Sequence, residues 1–212
     1  MMTDELQQGA RMAPETQAER LVRHARDRGM VRARDLRRLR IPTAVLTRLV
    51  REGQLIRRSR GVYTVPEHEP TEHTDLAAVA TRAPNAAICL LSALRFHELT
   101  TQNPFEVWIL IGRKAREPAI EHPPLRVIRA SGAALREGIN VHQIEGVQVR
   151  VTHPAKTVAD CFKYRNKVGT DVAIEALRDC WQQRKATMDE IDHYARIDRV
   201  ANVIRPYLES LI

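Results

Sequence analysis

The chain has 212 residues, of which 43% are hydrophobic and 28% charged, the balance of a globular protein rather than a disordered one. No apolar run approaches the ~20 residues that span a bilayer. The polar opening "MMTDELQQGARMAPE" has no signal-peptide core, and three cysteines (Cys89, Cys161, Cys180) without C-x-x-C spacing indicate neither a disulfide framework nor a zinc site. A reducing cytoplasm is the expected location, with no membrane partner and no cofactor or metal.

The formal charge of +8 is confined to one segment. Glu15 to Val65 holds 14 arginines, no lysine and 5 acids, a net +9, whereas Pro66 to Ile212 balances 19 basic against 19 acidic residues. Clustered charge of this kind is the footprint of a polyanion binder. It divides the chain into an expected tail at 1–14, a basic domain at 15–66, a linker at 67–73 and a neutral domain at 74–212.

In "PETQAERLVRHARDRG", Ala18, Leu21, Val22 and Ala25 share one helical face, and Gly29 supplies the stop. "MVRARDLRRLRI" predicts a short second helix over Ala33–Leu39 that buries Ala33, Leu36 and Leu39. Pro42 suits the first turn of a third helix, Thr43 to Glu52, because its missing N–H is tolerated there. Leu46, Leu49 and Val50 then point inward, leaving Thr43, Ala44, Thr47, Arg48 and Arg51 outside. After Gly53 the period changes to that of strands: "QLIRR" and "GVYTV" joined around Ser59–Gly61. Three helices and a basic hairpin make a winged helix-turn-helix, whose third helix enters the major groove while wing arginines meet phosphate. The candidate DNA-contacting residues are Arg32, Arg34, Thr43, Ala44, Thr47, Arg48, Arg51, Arg57, Arg58, Ser59, Arg60 and Tyr63.

"EHEPTEHT" is proline-bearing and acidic, a linker in which His68 and His73 read as solvated rather than metal-bound. "DLAAVATRA" and "SALRFHEL" predict helices, the second with Ser92 as N-cap. "FEVWILIG", "LRVIRAS", "INVHQIEG" and "VQVRVT" predict strands, the last two forming a hairpin at Gly146. From Pro154 onward "PAKTVADCFKYRNKVG", "DVAIEALRDCWQQRK", "MDEIDHYARI" and "ANVIRPYLESLI" return to helical period. The expected class is α+β: a winged helix-turn-helix followed by a mixed domain with a helical end.

"RLVREGQLIRRSRGVYTVP" resembles the N-terminal domain of the AbiEi-type antitoxins, through Gly53, Leu55, Arg57, Arg60, Gly61, Tyr63 and Pro66. That family places Thr or Ser where this chain has Arg32 before the second helix, which leaves Arg32 to contact phosphate. "ICLLSALRFHELT" and "VTHPAKTVADCFKY" are similar, more weakly, to segments of the longer AbiEi-like proteins. The resemblance implies two tasks. The winged domain would bind double-stranded operator DNA, as two copies on an inverted repeat, and repress its own operon in phage defence. The C-terminal domain would counteract a nucleotidyltransferase-like toxin. A stand-alone regulator whose C-terminal domain senses a ligand or dimerises is the alternative, and a nucleic-acid-processing enzyme a remoter one.

Against the enzyme, none of the five lysines follows an acid at the D/E-x-K spacing of a metal-dependent nuclease. No Gly–Ser dipeptide, G-x-S-x-G or P-loop occurs. In "HPAKTVAD" the residues His153, Lys156 and Asp160 are chemically capable, but Lys156 and Asp160 read as an i,i+4 ion pair on a helix surface. His97 reads as a hydrogen-bonded core-edge residue and Trp108 as core. Tyr164, Trp181 and Tyr194 become protein-contact candidates if exposed.

Overall fold

The computed structural model describes residues 15–59, 61–67 and 73–211. The expected tail at 1–14, the DNA-contact candidate Arg60, the expected linker positions 68–72 with His68, and Ile212 lie outside the described residues. The chain divides into two compact units, Met1–Glu69 and Pro70–Ile212.

In the first unit, helix α1 (Gln17–Arg28) opens on a capping box: the Glu19 N–H donates to Thr16 Oγ1 at 3.2 Å and the Thr16 N–H to the Glu19 carboxylate at 2.8 Å. Leu21 and Ala25 are buried, and Gly29 closes the helix at φ 73°. The expected helix from Ala33 is shorter than the sequence implies. Val31–Arg32 form a strand, β1, and helix α2 spans Asp35–Leu39. Ala33 is exposed rather than buried, because its N–H extends the β1 ladder to the Gly61 carbonyl at 2.9 Å. Helix α3 (Thr43–Arg51) follows Pro42, which takes the N-cap position rather than the first turn. Strands β2 (Ile56–Ser59) and β3 (Val62–Thr64) complete an antiparallel sheet in the order β1-β3-β2. Leu21, Leu36, Leu46, Leu49, Leu55 and Val65 fill the core between the helices and this sheet. The result is a helical unit closed by a small antiparallel sheet, with one face of helix α3 left on its surface.

The second unit runs α4 (Thr74–Arg82), β4 (Ala87–Ile88), α5 (Leu90–Phe96), β5 (Val107–Gly112), β6 (Leu125–Ala130), α6 (Ala133–Arg136), β7 (Ile139–Ile144), β8 (Val147–Thr152), α7 (Pro154–Lys163), α8 (Arg165–Val168), α9 (Thr170–Gln182), α10 (Met188–Ile197) and α11 (Ala201–Glu209). Its five-stranded sheet has the order β6-β5-β4-β8-β7. Strand β5 is the continuous apolar run of a strand covered on both faces, with Val107 to Ile111 all buried. The two-residue β4 lies at the centre of the sheet, antiparallel to β5 and parallel to β8. Strands β7 and β8 form the expected hairpin, and Glu145 and Gly146 both take positive φ, the primed turn that matches strand twist.

Ser92 is not an N-cap. Cys89 holds that position, and Ser92 sits buried within α5, where its Oγ accepts the Trp108 N–H at 2.9 Å and stitches the helix to β5. Helix α7 is the hub of the helical end, with Val158, Ala159 and Phe162 packed among Leu94, Leu177, Ile191 and Ile204.

Candidate nucleic-acid interface

Helix α3 is amphipathic at a strict period. Leu46 and Leu49 anchor it on the core, while Thr43, Ala44, Thr47, Arg48 and Arg51 are all exposed on the opposite side. No side chain caps its N-terminus, so its first amides are directed outward, where an anion is favoured. Thr47 Oγ1 donates to the Thr43 carbonyl at 3.2 Å. Arg48 stands 3.8 Å from Glu52, a pair open to solvent on both sides and therefore weak.

The hairpin presents Arg57 and Arg58, both exposed, on β2. Arg57 lies opposite Tyr63 in the ladder, and a bulge between Arg57 and Ser59 turns Arg58 so that its Nε donates to Thr64 Oγ1 at 3.1 Å. Gly61 at φ 79° makes the turn a geometry that a side-chain-bearing residue would strain. Tyr63 is half-buried, its ring packed on the core beside Val31.

Arg32 and Arg34 differ from each other. The Asp35 carboxylate accepts both the Arg32 N–H at 3.0 Å and its Nε–H at 3.2 Å, and the Arg32 side chain is only 16% exposed. Arg32 is thus tied into the junction of β1 and α2, whereas Arg34 is exposed at the N-cap of α2. Asp35 is the residue that sequence reasoning missed. Its signal was the acid three positions after Arg32, where a capping acceptor belongs.

The chemically capable residues of the second unit are differently placed. Lys156 and Asp160 form the expected i,i+4 pair at 3.2 Å, but the pair is not on a helix surface: their side chains are 1% and 6% exposed. Helix α7 runs through the core, so the face the pair occupies is covered. Asp198, buried at the end of α10, accepts from Lys163 at 2.8 Å and lies within hydrogen-bonding reach of Asp160. Burial first, and then Asp198, hold the Asp160 carboxyl well above the ordinary carboxylate range, against the opposing pull of Lys156. The Oδ2 atoms of both aspartates are buried with no hydrogen-bond partner among the described residues.

His97 Nε2 lies 2.7 Å from the Thr152 carbonyl, which can only accept, so this nitrogen carries the hydrogen. Burial lowers the His97 pKa to about 4, leaving the ring neutral at physiological pH. His153 caps α7 by accepting the Ala155 N–H, and the His73 ring lies tilted at 55° against Phe96, with centroids 5.1 Å apart. Burial raises the thiol pKa of Cys89, Cys161 and Cys180, which are protonated and unreactive at neutral pH. Trp108 is core, Tyr164 and Tyr194 are partly buried, and Trp181 is exposed.

Residues 19–66 match the family model described as "Transcriptional regulator, AbiEi antitoxin". Among solved structures the chain is similar to the RV2827C protein from Mycobacterium tuberculosis. The two are 17% identical with a TM-score of 0.56, over 84% of this chain and 70% of that one. At that identity the likeness is one of fold. No curated protein matches in sequence.

Proposed function

We propose that this chain, whose segment 19–66 is of the AbiEi antitoxin and transcriptional regulator type, represses its own toxin–antitoxin operon through the winged unit. Its second unit counteracts a nucleotidyltransferase-like toxin. The observation that carries the DNA-binding half is the outer face of α3. It combines small hydroxyl side chains with two arginines, all exposed, within the segment that holds the whole positive excess. The antitoxin half is supported by the family match.

The two halves are tested in one strain with the full-length chain. Thr47→Ala/Arg48→Ala/Arg51→Ala is expected to derepress a reporter driven by the operon's promoter while still restoring growth during toxin expression. Failure of the wild-type protein to restore growth against the neighbouring gene product would leave only a DNA-binding regulator. Retained repression by the triple variant would remove α3 from the interface.

The wing has a separate expected result. Arg57→Ala and Arg58→Ala weaken binding to operator and random duplex by similar factors, because wing arginines meet phosphate rather than bases. For every phosphate no longer neutralised, the slope of log K against log salt becomes shallower by about 0.9. Titration at several salt concentrations reads this directly, and a selective loss on operator alone would contradict it.

A further inference from the structure

The second unit is neutral in sum, yet its cations are unevenly placed. Beyond the end of β5 the chain reads Arg113-Lys114-Ala115-Arg116, every residue exposed. Among the described residues, none of these three cationic side chains makes an ion pair or hydrogen bond. The loop is nonetheless held in place. Arg129 on β6 donates from Nη1 to the carbonyls of Gly112 at 3.4 Å, Arg113 at 3.3 Å and Ala115 at 2.6 Å, and Arg82 donates to the Ala119 carbonyl at 3.2 Å. Two arginines therefore pin the backbone while three further cations are carried outward. Glu117, next in the sequence, is 3.9 Å from Arg129 rather than paired with any of the three. Like charges gathered on a fixed loop repel one another unless an anion joins them.

Beside the loop is a cavity of about 310 Å³, at the low end of the ligand-pocket range. Ile111, Pro84 and Pro118 give it apolar walls, Arg82 and Arg116 line it, and Asn85 brings an amide with both donor and acceptor. An acidic protein surface would be served by the cations alone. A nucleic-acid strand uses both parts: phosphates for the cations, and a planar base for a cavity with an arginine plane and an amide. A duplex keeps its bases stacked, so the occupant is single-stranded.

We propose that the Arg113–Arg116 loop and this cavity bind single-stranded nucleic acid. Arg113, Lys114 and Arg116 meet successive phosphates, and one unstacked base enters against Ile111 and is read by Asn85. This site is independent of the winged unit.

The test uses the full-length chain, a labelled single-stranded RNA and its DNA counterpart of about 12 nucleotides, and a duplex of the same sequence. In Arg113→Ala/Lys114→Ala/Arg116→Ala, single-strand affinity is expected to fall roughly tenfold or more. The salt slope should decrease by about 2, at about 0.7 per phosphate, with duplex affinity unchanged. Asn85→Ala is expected to flatten the preference among homopolymer strands and leave the slope alone. A weaker DNA arm identifies a contact to the 2′-hydroxyl, and equal arms identify backbone and base alone; either outcome supports the site. Unchanged single-strand affinity in the triple variant overturns it. So does a parallel loss of duplex binding, or displacement by polyglutamate as effective as by oligonucleotide. Failure of the winged-unit reading would appear elsewhere, as duplex affinity insensitive to Thr47→Ala/Arg48→Ala/Arg51→Ala.

Discussion

Lys156→Met is expected to lower the unfolding free energy of the full chain by about 3–5 kcal/mol at neutral pH, the usual result of removing one partner from a buried ion pair. Met replaces the aliphatic stem, so packing under Gly138 and beside Tyr194 is largely kept. The variant lacks the ammonium, which stands 3.2 Å from Asp160 in a site with almost no solvent. The remaining carboxyls, Asp160 and Asp198, then lie within hydrogen-bonding reach of each other, with Lys163 paired to Asp198 at 2.8 Å. Adding Asp160→Leu should recover most of the deficit, because the uncompensated charge goes with it. Denaturant titration measures both variants. A cost below about 1 kcal/mol for Lys156→Met, the range of exposed pairs, would show that the pair behaves as if solvated.

The pH dependence of the same variant has a definite sign. Burial and Asp198 raise the folded-state pKa of Asp160, and Lys156 opposes them. Without Lys156 the opposition is gone. A carboxyl raised in the folded state contributes stability below its unfolded value, near 4, and loses that contribution as pH rises through the folded pKa. The deficit of Lys156→Met relative to wild type should therefore shrink on acidification toward pH 4 and widen toward neutrality. A deficit constant across that window would mean that Asp160 does not titrate there.

This buried pair also shows where sequence reading stops. The i,i+4 spacing of Lys156 and Asp160 is legible, but not which face of α7 is covered. Coverage is decided by elements such as α5 and α10, distant in sequence. Strands β1 and β4 escape notice for a related reason. Two residues carry no period, and their extended conformation is set by the ladders they join, to β3 in one unit and to β5 and β8 in the other. The longer strands and the amphipathic α1 and α3 repeat their pattern often enough to be read directly. The charge asymmetry that marks the winged unit is equally legible. The same averaging concealed the Arg113–Arg116 run, whose charge vanishes into a neutral sum over Pro66–Ile212.

Helix α3, the proposed recognition helix, carries the other large expected effect. Single replacements Thr47→Ala, Arg48→Ala and Arg51→Ala should each cost about 1–3 kcal/mol on operator where the side chain makes a bidentate or well-formed base contact. The same replacements should cost less on random duplex, where only the phosphate attraction is removed. The reasons are geometric and electrostatic. Leu46 and Leu49 fix the rotation of α3, so these three side chains project from one side, within reach of base edges if the helix lies in the major groove. Arg48 is restrained only by a solvent-screened contact with Glu52, which a guanine edge would readily replace. Arg51 is exposed in the last turn of α3. If two copies bind an inverted repeat, a footprint should show half-sites about one helical turn apart, and each replacement should weaken both. Competition titrations with operator and random DNA at a single fixed salt concentration give the decisive ratio. If that ratio is unchanged in all three variants, α3 does not read sequence, and the specificity resides in the wing or in the shape of the DNA it binds.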